Sequence, residues 1–135
     1  MKQLAAFLAF SGLAVMASAD PPTHPVTITL GHDAGANTCF VATVNPMSVV
    51  VDPGDKIEWT ATDGSGQCGG RAVKLANFKH NGTPKDPVPG CKKEITSGGS
   101  AVRCTVNNAG KGETFKYDVD LLGGRGMDPE IRVRD

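Results

Sequence analysis

The side chains able to ligate a metal, attack a carbonyl or carry a proton are few, and their spacing limits what they can do. The three histidines, His24, His32 and His80, stand too far apart in sequence to form a metal-ligand pair, and each is expected to be solvated. A non-standard copper or zinc site would have to be assembled from His80, His32 and nearby carboxylates. Asp118 and Asp120 alternate with apolar residues, so both should point from one strand face into water, where paired carboxylates serve as solubilising charges. No Gly-x-Ser-x-Gly elbow, His-Glu-x-x-His pair or phosphate-cradling glycine loop before a helix is present. No catalytic constellation results, and the chain is not expected to be an enzyme. Gly123-Gly124-Arg125-Gly126 brings a planar cation into a loop with little side-chain bulk, suited to pairing a carboxylate or phosphate. Asn81-Gly82-Thr83 fits a glycosylation acceptor, which matters only in a eukaryotic secretory pathway.

Cysteine chemistry points to the compartment. The four cysteines, Cys39, Cys68, Cys91 and Cys104, form no Cys-x-x-Cys pair, and an even count in a small exported domain implies two disulfides. Three connectivities are open; Cys91–Cys104 with Cys39–Cys68 is favoured, because the first closes a short loop around Ser97-Gly98-Gly99-Ser100. The N-terminus supports export. Met1-Lys2 precedes an apolar run to Ala17, then Ala17-Ser18-Ala19 supplies small residues for cleavage. Residues 1–19 are therefore read as a cleaved secretory signal, leaving 20–135 as one domain, periplasmic or secreted. No later span is apolar enough for stable membrane insertion.

Charge excludes one class of partner. With 14 basic and 14 acidic side chains the whole chain is neutral, so no global field draws it to nucleic acid. Residues 20–63 are acid-rich and 71–93 base-rich, which in a sandwich interleave into a mixed surface.

The elements that must position these groups are strands. Val26, Ile28 and Leu30 alternate with threonines, and Ile57 with Trp59, Val73 with Leu75, and Val102, Cys104 and Val106 repeat the period of two. Thr114 to Leu121 is the clearest case, with Phe115, Tyr117, Val119 and Leu121 on one face. Cys39 to Val44 and Ser48 to Val51 add further strands, and Asp52-Pro53-Gly54-Asp55 is a turn. Gly and Pro loops separate them, and no capped helix of useful length appears. The expected fold is all-β, an antiparallel Greek-key β-sandwich of seven to eight strands.

Two segments carry a family resemblance. Val49-Val50-Val51-Asp52-Pro53-Gly54-Asp55-Lys56-Ile57-Glu58-Trp59 is similar to the cupredoxin strand-turn-strand V-x-V-x-x-G-D-x-V-x-W. Gly112 to Val133 resembles the last hairpin of that blue-copper family, in which a Cys-x-x-His-x-x-x-x-Met pattern holds the metal. Counting back from Met127, Leu122 takes the histidine position and Val119 the cysteine position. Gln67 or Cys68 occupies the region where the first histidine would stand. Type 1 copper needs a thiolate and two imidazoles, with the methionine only a long axial contact. The resemblance therefore implies the cupredoxin fold without its copper, and Met127 is expected to pack at the end of the core. It also implies that 63–71, 79–90 and 122–128 cluster at one end, making Arg125, Gln67 and His80 the candidate binding residues. The expected role is a non-catalytic binding or accessory module of the cell envelope, without cofactor, for an envelope or extracellular protein or a small ligand. The alternative is a copper-binding or electron-transfer protein with a non-standard metal site.

Overall fold

The computed structural model describes residues 20–122 and 124–135, so the proposed signal at 1–19 lies outside the described residues. Alternation becomes strand wherever it was read. The strands are β1 (Thr23–Asp33), β2 (Thr38–Asn45), β3 (Ser48–Val51), β4 (Lys56–Asp63) and β5 (Ala72–His80). They continue with β6 (Thr83–Pro84), β7 (Glu94–Thr96), β8 (Val102–Thr105), β9 (Thr114–Leu121) and β10 (Glu130–Val133). Among the described residues a 3-10 turn, Asn108–Gly110, precedes β9. The protein is all-β, a sandwich of two sheets ordered β2-β1-β4-β8 and β3-β10-β9-β5-β6, with β7 also on β5.

Two expectations need correction. The ten strands among the described residues exceed the expected seven to eight because β6 has only two residues and β7 only one buried apolar side chain, Ile95. Neither carries a readable period. The sheets are also mixed rather than antiparallel, since β1 runs parallel to β4 and β10 parallel to β3. The chain leaves the first sheet after β2, adds β3 to the second, and returns as β4 beside β1. That crossing reverses the direction a simple meander would give.

The core lies between the sheets. Val26, Ile28, Ile57 and Trp59 from one sheet meet Val73, Phe115, Tyr117, Val119 and Ile131 from the other, all fully buried. The Trp59 indole donates to the Tyr117 hydroxyl at 3.1 Å, a polar bridge between β4 and β9. Phe78 stacks on Tyr117 with centroids 5.0 Å apart, and Trp59 meets it edge-on at 6.0 Å. Burial pushes the Tyr117 hydroxyl up to about 12, against the smaller opposing pull of the Trp59 hydrogen bond.

Both favoured disulfides are present. Cys39–Cys68 ties β2 to the loop after β4, with Cα atoms 6.0 Å apart, and Cys91–Cys104 ties the loop before β7 to β8 at 5.5 Å. No helix among the described residues is long and apolar enough to cross a membrane.

Candidate functional site

One end of the sandwich is built by the β9–β10 connection. After Leu121 the chain turns, then Met127 pairs back with Val119 by two backbone bonds of 2.9 and 3.1 Å, and the Tyr117 N–H donates to Pro129 at 3.1 Å. The tip between them crosses to the other sheet, where the Val41 N–H donates to the Arg125 carbonyl at 2.8 Å. Glycine makes that crossing feasible. A Cβ on Gly124 would run into the Cys39 carbonyl, and one on Gly126 into the Val119 carbonyl. Gly123 lies outside the described residues.

Docking on β2 gives Arg125 its setting. Its guanidinium lies over the Phe40 ring, 4.4 Å from the centroid. Phe40 in turn lies across Gly31, its register partner on β1, where a Cβ would come 2.7 Å from the ring. The exposed guanidinium has no ion pair among the described residues, so its edge donors face water while its face rests on the ring. At the same end, on the outer surface of the β5–β9 pair, Leu122 is 96% exposed. It borders an open depression of about 430 Å3 with Ala72, Lys74, Asp120 and Leu121.

Gln67 is nearby by covalent constraint. The Asp63 carboxylate accepts from the Ser65 N–H and hydroxyl at 2.9 and 2.6 Å and from the Cys68 N–H at 2.7 Å, which folds the loop. The Ser65 hydroxyl, partly opposed by desolvation and helped by those backbone donors, holds Asp63 below the ordinary carboxylate value. The Cys39–Cys68 bridge then fixes the loop beside β2. Gln67 is exposed, and its backbone N–H donates to Ser65 at 3.0 Å.

His80 does not belong to this end. β5 is nine residues long, so its last residue stands roughly 26 Å from Ala72 at the strand rise. The expected cluster of 63–71, 79–90 and 122–128 is therefore wrong for its middle member: the antiparallel β5–β9 pairing sets Lys79 opposite Lys116 and Val73 opposite Leu121. His80 instead bonds the Thr114 carbonyl through Nδ1 at 2.9 Å and lies 3.6 Å from Glu113 through Nε2. The Lys85 ammonium, 2.7 Å from Glu113, is the main group holding that carboxyl below its usual value, with His80 adding to it against desolvation.

The other histidines are also engaged rather than freely solvated. His32 contacts the Asn37 side chain at 3.1 Å, and His24 meets the Asp55 carboxylate at 2.8 Å. Asp55 is buried, and the Asp52 N–H donates to the same oxygen at 2.9 Å. Burial raises its pKa, but the Asp52 N–H, His24 and Arg134 together hold it below the ordinary value. His24 is the second residue of β1.

The positions that would hold type 1 copper offer a poor donor set. Val119 is fully buried, Leu122 protrudes, and the Cys68 sulfur is bonded to Cys39. Met127 is half-buried and packs against the core. Among the described residues no three His, Cys, Asp or Glu side chains are grouped to hold a metal. The residues present do not fit a blue-copper centre.

No protein-family model and no curated protein matches this chain. Sequence reasoning named Arg125 but missed Phe40, whose role depends on a loop from the other sheet landing on it. It noted Leu122 only as a lost ligand; an apolar residue just past a strand end, followed by glycines, was the available signal.

Proposed function

We propose that this is an exported, non-catalytic binding or accessory module of the cell envelope or extracellular space, with a cupredoxin-like frame that does not use type 1 copper. The observation that carries the reading is the β9–β10 loop end. A guanidinium with no ion pair among the described residues is stacked on Phe40 there, and a protruding Leu122 borders an open depression. Arginine and aromatic residues are enriched at protein interfaces, and a guanidinium resting on a ring presents both together. Two disulfides and the secretory-type N-terminus support export. The partner is an envelope or extracellular protein, or a small ligand presenting a carboxylate or phosphate to Arg125.

The test is a photo-crosslinking residue at Leu122, with a second at Val50 on the far strand of the same sheet as control. A crosslinked partner at 122 that is lost in Arg125→Ala supports the reading. Equal capture at both positions, or capture indifferent to Arg125, counts against it. Stoichiometric copper uptake by calorimetry, with visible absorption, would favour the electron-transfer alternative instead.

A further inference from the structure

At the opposite end of the molecule, we propose that Asn81 is a site of spontaneous covalent modification, cyclising onto Gly82 with His80 as the proton donor to its leaving nitrogen. The site is distinct from the Arg125 end and does not depend on its function. Asn81-Gly82 is the only Asn-Gly pair in the chain. It forms the whole loop between β5 and β6, since His80 and Thr83 are register partners. Both loop residues have positive φ, 50° and 78°, the two-residue turn that Asn-Gly favours.

Three features converge there. Gly82 has no side chain, and a Cβ built on it would meet nothing within 4 Å, so no side-chain bulk hinders the ring closure. The β6 strand is two residues long and ends in Pro84, so the turn opens locally at low cost to let that nitrogen reach the side-chain carbon. His80 Nε2 lies 3.2 Å from Asn81 Nδ2, with the ring fixed by the Nδ1 bond to Thr114 and with the Glu113 carboxylate 3.6 Å from Nε2. An amide nitrogen is a poor acceptor in the resting turn. Once it becomes an amine in the tetrahedral intermediate it can take the proton, so the contact gains strength where the reaction needs it.

The step balances without any added reagent. The Gly82 nitrogen loses its proton to water and bonds to Cγ of Asn81, the Cγ–Nδ2 bond breaks, and ammonia leaves carrying the proton from Nε2, which water replaces. Water then opens the cyclic imide at either carbonyl, giving aspartate or isoaspartate at 81. Either product places a new carboxylate near Glu113. Isoaspartate also adds a main-chain carbon to a loop that has room for two residues, which unpairs His80 from Thr83.

The test is incubation of the intact protein near neutral pH at body temperature, followed by peptide mass spectrometry and isoaspartate assay, beside the free peptide of residues 79–85. The expected result is conversion at Asn81 while the other five asparagines stay intact. His80→Gln should slow it by about a hundredfold, the low end of what a positioned acid supplies. Glu113→Gln, which keeps His80, should slow it in the same direction. Asn81 left intact after the peptide has fully converted would overturn the site. Unchanged rates in both variants, folded as judged by Trp59 fluorescence, would overturn the role of His80.

Discussion

Replacing Tyr117 by Phe removes one oxygen from the centre of the sandwich and nothing else. The ring keeps its stack on Phe78 and its edge contact with Trp59. The Trp59 indole N–H, in a fully buried residue, loses its acceptor, and no solvent reaches it. A buried donor left without a partner costs about 1–3 kcal/mol. For a domain of this size each kcal/mol moves Tm by roughly 4 °C, so the variant should melt about 4–12 °C lower. Trp59 is the sole tryptophan, so urea or thermal unfolding followed by its fluorescence reads the perturbed pair directly. A Tyr117→Phe protein within about 0.5 kcal/mol of the parent would behave like an inconsequential surface change. That result would refute the closed inter-sheet bridge. The same residue gives a pH arm. Its folded pKa, about 12, lies above the ordinary value of 10.0, so its contribution is fully present below pH 10 and is lost as pH rises through 12. The parent should therefore lose stability over that window, by about 3 kcal/mol on a two-unit shift, and Tyr117→Phe should not share that loss.

Other perturbations test separate parts of the structure. Asp55→Asn should destabilise by about 1–3 kcal/mol in urea unfolding near neutral pH, because a buried, charge-assisted pair with His24 is lost. Asp55 has a depressed folded pKa, so the parent's advantage holds above 3.8 and should vanish as pH falls through the folded value; an advantage that persists in strong acid would contradict this. Replacing Cys91 and Cys104 together by Ala opens a loop with sequence separation 13 and should cost about 3 kcal/mol in chemical unfolding. Gly124→Ala sets a methyl against the Cys39 carbonyl, which should lift the loop off β2 and cost about 1–3 kcal/mol. The sensitive readout is hydrogen exchange at the Val41 amide, now bonded to Arg125, which should become faster; unchanged protection would mean that the loop does not need glycine there.

What could be read from the sequence was whatever depends on neighbours along the chain. Phe115, Tyr117, Val119 and Leu121 are buried in strict alternation because the pleat alone sends them to one face. Asp52-Pro53-Gly54-Asp55 turns where expected, with Gly54 at a φ of 94°. The disulfide pairs followed from loop length. What stayed hidden depends on where distant segments land. The parallel pairings of β1 with β4 and β3 with β10 are not recorded in the strands' alternation, which is the same for either direction of pairing. The separation of His80 from Arg125 follows from β5 and β9 running in opposite directions, which no local pattern records. Likewise, nothing in Thr23-His24-Pro25 announces a carboxylate some thirty residues away that will need its imidazole.

The register also bears on how much a retained methionine can mean. Glu130 faces Lys116 on the β9–β10 ladder, and continuing that register past Pro129 brings Met127 opposite Val119, where the two exchange both backbone bonds. The interval between the two residues is thus set by backbone pairing and by the length of the tip that crosses to β2. A side chain opposite the inward-facing Val119 falls on the core side whether or not a metal is bound, and a flexible thioether suits the irregular space where the two sheets close. Met127 at this spacing is consequently what the hairpin itself requires of an apolar residue, so the motif's last position carries information about strand pairing. Only the thiolate and imidazole positions carry information about copper, and valine at 119 and leucine at 122 supply neither.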